Sequence, residues 1–445
     1  MDPSASPAQM RPIRVALLGG GTVGSQVARI MLSNSADLAA RVGAPLELVG
    51  VAVRDASRSR SGIPADLITD DPESLVARDD VDVVVEVMGG TSPAKEFILK
   101  ALESGASVVS ANKELFAQSG PELHAAAESS GVDFYYEAAV AGAIPLLRPL
   151  RESLSGDKVR RVLGIVNGTT NYILTKMDED GADYADVLAD AQRLGYAEAD
   201  PTADVGGADA AAKAAILAVL AFHTSVSLKD VYCEGITEIT SADITAARDM
   251  GFVIKLLAVA ELTPDEAGVV VRVHPAMIPR GHPLATVRDA FNAVFVEADA
   301  AGQVMFYGRG AGGEPTASAV LGDLVSAARN RVAGGRGPAH STYADIAVRP
   351  VSDATTRYAV NLRVADRPGV LQAIAGVFAE HNVSIQTVRQ EALDSGDTGP
   401  EGAHLLVRTH MAREADLQST VEQLRSLDAV QEVVGVVRVE GESGS

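Results

Sequence analysis

The chain has 445 residues, 47% of them apolar, enough for several cores, and at about 150 residues per domain its length suggests three. Its 59 acidic against 38 basic residues leave a formal charge of −21, which argues against a nucleic-acid partner, because phosphate backbones need a basic face to displace counterions. A single cysteine, Cys233, excludes an intrachain disulfide or a multi-thiolate metal centre and suits a reducing cytoplasm, and no apolar run reaches the roughly 18 residues that would span a membrane.

Residues 1–12 are polar, lack the apolar stretch of a secretory signal and read as a disordered tail. From 13 to 149, β-branched runs at 13–18, 46–53, 81–87, 107–110 and 133–136 alternate with helical patterns, the mark of βαβ units in a Rossmann-type parallel sheet. Residues 150–313 mix strands with alanine-rich helices and read as an α+β domain. A helix over 314–330, with Pro315 in its first turn, is expected to return to the first domain. Residues 331–356 are rich in Gly, Pro and Ser and read as a linker. From 357 to 439 the order strand, helix, strand, strand, helix, strand predicts a ferredoxin-like βαββαβ module, followed by a short tail at 440–445.

The strand at 13–18 runs into Gly19-Gly20-Gly21-Thr22-Val23-Gly24, a G-x-G-x-x-G turn that opens a helix. Glycines there let the backbone approach a pyrophosphate, which the helix N-terminus favours through its free N–H groups and dipole. Gly19, Gly21, Thr22, Val23 and Gly24 are therefore cofactor candidates. After the second strand comes Arg54 before Asp55, with Arg58 and Arg60 behind; a cation in that place suits a 2′-phosphate and favours NADP over NAD.

Lys113, in Ser110-Ala111-Asn112-Lys113-Glu114, lies at the carboxyl end of a predicted parallel strand, where open α/β sheets bind ligands. Asp209 and Lys213 stand four residues apart on a helix that is otherwise nearly all apolar, so they share one face. A buried ammonium there needs a partner or a task. It could serve as a general acid, or the two could form a plain ion pair.

The segments Glu137-Ala138-Ala139-Val140-Ala141-Gly142-Ala143-Ile144-Pro145, Asn167-Gly168-Thr169-Thr170-Asn171 and Gly195-Tyr196-Ala197-Glu198-Ala199-Asp200-Pro201-Thr202-Ala203-Asp204, in this order, resemble homoserine dehydrogenases from about residue 15 to 330. The resemblance implies reversible hydride transfer between NAD(P)H and L-aspartate 4-semialdehyde, giving L-homoserine on the way to threonine, methionine and isoleucine. It implies that Lys213 is the general acid, that Glu198 and Asp209 bind substrate, and that Lys113 lies near cofactor and reacting carbon. Gly195 and Gly310 would lie at the cofactor. Sodium would be held by Glu137 and the carbonyls of Val140, Gly142 and Ile144, a donor set that suits a hard cation. The alternative for that segment is a structural turn capped by a buried Glu. The middle region would make a homodimer.

Asp366-Arg367-Pro368-Gly369-Val370-Leu371 and His381-Asn382-Val383-Ser384-Ile385 resemble the ACT family, whose members bind amino acids between first strand and first helix. Pathway logic then suggests L-threonine as an inhibitor, a homotetramer through these domains is possible, and the alternative is a purely architectural role in oligomerisation. Two other readings compete: a catalytically silent amino-acid sensor on the same fold, against which the presence of Lys113, Glu198, Asp209 and Lys213 speaks, and an aspartate-semialdehyde or aldehyde dehydrogenase acylating a cysteine, for which only Cys233 exists and no catalytic-cysteine motif surrounds it.

Overall fold

The computed structural model describes residues 10–340, 342–392 and 402–442. The chain forms two compact units: one comprises residues up to Val159, Ala215–Leu228 and Phe291–Asp345, the other Arg160–Ala214, Lys229–Ala290 and the chain from Ile346.

In the first unit six parallel strands lie in the order Ile68–Thr69, Leu46–Ala52, Ile13–Leu18, Val83–Glu86, Ser107–Ser110, Phe134–Tyr135. Val15, Leu17, Val83, Val85 and Val109 are wholly buried, as strands covered on both faces must be. Strand order reverses between Ile13–Leu18 and Val83–Glu86, and ligands of such sheets sit outside the carboxyl ends at that switch. The Gly313–Val332 helix completes the unit by burying Ala317, Val320, Leu324 and Ala328 in one core with Val27, Met31 and Val83. Each buried Val or Leu contributes about 1.5–3 kcal/mol, so this return outlasts the long excursion of the chain. The antiparallel hairpin Phe291–Ala298 and Gly302–Arg309 also belongs here, although its residues read with the middle region in sequence.

The second unit holds one mixed sheet: Val159–Ile165, Phe252–Leu262, Gly268–Pro279, Val430–Val439, Thr355–Ala365, Gly402–Thr409, Ile385–Ala392. The last four strands, with helices Val370–Glu380 and Glu414–Arg425 over one face, are the expected βαββαβ module, packed around Leu362, Ile374, Phe378, Leu405 and Leu417. The module shares its sheet with the strands before it: Ala276 pairs with Arg438 and Met277 with Val439 in parallel. Charged side chains lock that seam. Arg438 Nη2 donates to Glu414 (2.6 Å) and Nη1 to Glu234 (2.6 Å), while Glu440 accepts from Arg161 and from the fully buried Arg272.

Described residues near both chain ends are tied to the body of the protein. Of the predicted tail at 1–12, residues 1–9 lie outside the described residues, but Met10 packs on the core and Arg11 reaches Asp82 at 3.0 Å. At the other end 443–445 lie outside them, whereas Glu440 is 3% exposed and Glu442 pairs with Arg408 at 2.7 Å. The segment read as a linker is strapped down: Gly337 N donates to Asp133 (2.7 Å), Ala344 N to the His223 carbonyl (3.0 Å), and Ala347–Val348 pairs beside Gly268–Pro279.

Candidate active site

The glycine turn owes its sequence to close approaches within the first unit. A Cβ on Gly19, whose φ is +108°, would meet the Val87 carbonyl oxygen at 2.7 Å, and one on Gly24 would meet the Gly19 oxygen at 1.9 Å. Gly21, by contrast, faces open space. Two glycines thus seat strand, turn and helix together, and the third leaves room for a ligand at the N-terminus of helix Thr22–Ser33, where the dipole favours a phosphate. The residues therefore fit a dinucleotide. Arg54 is exposed after the second strand, and the Asp55 carboxylate is engaged by Ser57, whose hydroxyl and N–H hold it below the usual carboxylate range. Arg60 folds its side chain against Gly20 and donates to the Asp55 carbonyl at 2.9 Å.

Lys113 is the first residue of helix Lys113–Ser130, capped by Asn112, whose side chain accepts from Leu115 N at 3.1 Å. Beneath it lies a group that sequence reasoning missed. Glu86 is wholly buried and accepts from Met88 N (2.7 Å) and the Ser110 hydroxyl (2.7 Å), so it ties the ends of two adjacent strands together; burial pushes its carboxyl up. Its signal was an acid closing the apolar run Val83-Val84-Val85.

In the second unit the predicted pair comes together in helix Ala208–Phe222. Lys213 is 9% exposed; its Nζ donates to Asp209 Oδ2 at 2.7 Å and to the Val166 carbonyl at 2.7 Å. The same Asp209 oxygen accepts from Asn167 Nδ2 at 3.0 Å, and that amide also donates to Asp204 at 2.7 Å. Asn167 caps helix Gly168–Asp180 by accepting from Thr170 N, which fixes its amide toward the two acids. A Cβ on Gly168 would meet the Ala290 carbonyl oxygen at 2.8 Å. Such an arrangement can hold a proton on Nζ against a carboxylate and surrender it to a substrate oxygen.

A second buried lysine, not foreseen, holds the first turn of the same helix Gly168–Asp180 at Asn171. Lys255, inside the apolar strand Phe252–Leu262, donates to Asn171 Oδ1 (2.8 Å) and the Val287 carbonyl (2.6 Å), and burial pulls its pKa down to about 8. Glu198 has an exposed side chain, and Gly195 ends its helix in the left-handed conformation (φ +78°) with open space where a Cβ would lie.

The Glu137 carboxylate, expected among the cation ligands, accepts at Oε1 from Leu146 N and Leu147 N (2.7 Å) and at Oε2 from Arg148 N (2.9 Å) and Arg148 Nε (3.3 Å). Main-chain N–H groups and a guanidinium thus engage both oxygens, the pattern of the alternative reading, a turn capped by a buried Glu. No cluster of three or more His, Cys, Asp or Glu side chains suited to a metal occurs among the described residues. Gly310 is closely packed: a Cβ there would lie 2.2 Å from the Asn292 amide, and one on Gly142 would lie 2.4 Å from the Gly310 oxygen. Cys233 does not resemble a nucleophile, since burial pushes its thiol up and its Sγ contacts the Gly206 carbonyl at 3.4 Å. Among the described residues no helix is long and apolar enough to cross a membrane.

Comparison with known proteins agrees with this geometry. Residues 19–137 match the family model "Homoserine dehydrogenase, NAD binding domain", 145–325 match "Homoserine dehydrogenase", and 358–429 match the ACT domain. The chain is 59% identical over 438 residues to the homoserine dehydrogenase of Mycobacterium tuberculosis, covering 98% of this chain and 99% of that one. It is 54% identical over 431 residues to that of Corynebacterium glutamicum, covering 96% of each. A crystal structure of a homoserine dehydrogenase from Thiobacillus denitrificans, 39% identical, superposes with a TM-score of 0.89 over 97% of this chain and 99% of that one. The chain therefore belongs to the homoserine dehydrogenases, NAD(P)-linked oxidoreductases acting on a CH–OH group, and carries an ACT domain at its C-terminal end.

Proposed function

We propose that this enzyme interconverts L-aspartate 4-semialdehyde and L-homoserine with NADP as the preferred cofactor, and that Lys213 moves the proton. The observation that carries the reading is the Lys213 ammonium, buried and held at 2.7 Å from both Asp209 and the Val166 carbonyl. The glycine turn 19–24 would hold the pyrophosphate and Arg54 the 2′-phosphate, and a hyperthermophilic archaeal homoserine dehydrogenase, 26% identical and matched over 71% of this chain, has a solved structure in complex with NADPH. The bound cofactor supplies hydride to the carbonyl carbon. In the reducing direction Lys213 gives its proton to the oxygen as charge develops there, and in the oxidising direction takes it back. Asp209 and the exposed Glu198 suit an α-ammonium, and Lys113 lies at the carboxyl edge of the nucleotide-binding sheet.

A monovalent cation, if bound, would use the main-chain carbonyls of Glu137, Val140, Gly142 and Ile144; consecutive left-handed residues, Ala141 (φ 57°) and Gly142 (φ 56°), curl that segment. The ACT domain supports regulation by an amino acid, and pathway chemistry favours L-threonine. A homodimer or homotetramer in the cytoplasm completes the reading. The test is NADPH consumption with aspartate 4-semialdehyde, product identified as homoserine, repeated with NADH: turnover with NADPH preferred is expected, and a chain that forms no homoserine with either cofactor would sink the proposal.

A further inference from the structure

The strand Phe252–Leu262 is buried from Phe252 to Ala260, and Lys255 is the one residue of that run that is not apolar. An apolar side chain would pack there without the cost of taking an ammonium out of water, so packing alone does not call for a lysine. Its Nζ donates to three acceptors: Asn171 Oδ1 (2.8 Å), Thr175 Oγ1 (3.3 Å) and the Val287 carbonyl (2.6 Å). None of these is a carboxylate, so neutral dipoles hold the charge and no ion pair consumes it.

Asn171 and Thr175 stand four residues apart, on one face of helix Gly168–Asp180. Asn171 N donates to the Asn167 carbonyl at 3.3 Å, so the turn that Lys255 grips is the one that follows the cap. The Asn171 amide donates in turn to the carbonyls of Val287 (3.3 Å) and Asp289 (2.9 Å), and Gly168 lies close against Ala290. Lys255 therefore clamps the start of this helix to the segment 287–290. The cap then reaches the chemistry directly, because Asn167 holds Asp209 at 3.0 Å and Asp209 holds Lys213 at 2.7 Å. Every link lies within the second unit.

We propose that Lys255 is a positioning residue for the proton transfer: its ammonium clamps the first turn of helix Gly168–Asp180 to the segment 287–290 and so fixes Asn167 and, through it, the Asp209–Lys213 pair. The proposal rests on the role given above to Lys213. Burial pulls the Lys255 pKa down to about 8, against Asp178 and Glu179 of the helix and Asp289 of the segment, and with help from Arg288. The clamp is thus charged near neutrality and loses its proton as pH rises past about 8. A neutral amine has two N–H groups for three acceptors, and its hydrogen bonds are about half as strong as those of an ammonium.

The test is steady-state oxidation of L-homoserine with NADP for wild type, Lys255→Met, Lys255→Gln and Lys213→Ala, with melting curves to confirm folding. Lys255→Gln keeps two N–H donors without charge and serves if the Met variant does not fold. The expected kcat of both Lys255 variants is roughly tenfold below wild type at about pH 7, with KM values within about threefold; by about pH 9.5, where wild type has lost its own charge, the gap narrows to within about threefold. A kcat within about twofold of wild type near pH 7 overturns the proposal, and so does a loss of equal size at both pH values, the mark of a purely structural contact. If Lys213→Ala turns over as wild type does, the proton-transfer reading falls and this proposal with it. If Lys213→Ala is inactive and the Lys255 variants behave as wild type, only the positioning role falls.

Discussion

Two buried carboxylates, one in each unit, differ in who answers them. Glu137 meets three main-chain N–H groups and a guanidinium, partners that neither titrate near neutrality nor reorient. Asp209 meets side chains, the Lys213 ammonium and the Asn167 amide, of which one carries a transferable proton. Both charges satisfy the rule that burial demands a partner, but the first arrangement holds a turn and the second keeps a proton available. The sequence reading singled out both, Glu137 for a cation or a turn and Asp209 for substrate, and the identity of the hydrogen-bond donors is what tells the two surroundings apart.

The sharpest way to break this contrast is to neutralise each acid. Asp209→Asn should lower turnover by about 10²–10⁴-fold, the range for a lost acid–base arrangement, with circular dichroism unchanged; near wild-type turnover would show that Asp209 is structural too. Next in size, Arg438→Met strands Glu414 at the sheet seam and should cost roughly 3–5 kcal/mol in urea unfolding, since an unpaired buried charge remains. Glu137→Gln should cost about 1–3 kcal/mol of stability and leave turnover within a few-fold. A large loss of activity from that variant would erase the distinction. Arg54→Ala should raise the KM for NADPH by about tenfold while leaving that for NADH unchanged, as expected for one charge-assisted contact.

The smallest effect concerns pH. Burial, then the neighbouring Glu137, raises Asp323 from its ordinary 3.8 to about 7. Between those values the native chain keeps a proton the unfolded chain has lost, so this group's stabilisation is full below about pH 4 and fades as pH rises through 7. Melting measured across that window should show the slope in wild type and lose it in Asp323→Asn. Glu440 has the opposite sign: held down at about 2 against its usual 4.5, mainly by Arg161 and Arg272 overcoming its burial, it contributes stability above pH 4.5 that is lost as pH falls toward 2.

The strands, the glycine turn and the burial of Lys213 were legible because each leaves a local pattern: β-branched runs, glycines where backbones nearly collide, one charge on an apolar helix. The sharing of one sheet between the ACT domain and the strands before it was not, because the parallel pairing of Ala276 with Arg438 joins residues far apart in the chain and adds no periodicity. Glu86 and Lys255 could have been suspected as lone charges in apolar strands, yet what they hold, the Met88 turn and Asn171, depends on tertiary neighbours. The two readings of Glu137, cation ligand or turn cap, could not be separated for the same reason: a sequence names an acid, and folding decides which N–H groups reach it.

The most direct test is rapid mixing of the Lys213→Ala variant, preloaded with NADPH, with aspartate 4-semialdehyde. If a buried ammonium supplies the proton, the variant should bind NADPH as wild type does and transfer hydride at below about 1% of its rate. Hydride transfer within a few-fold of wild type would contradict that assignment.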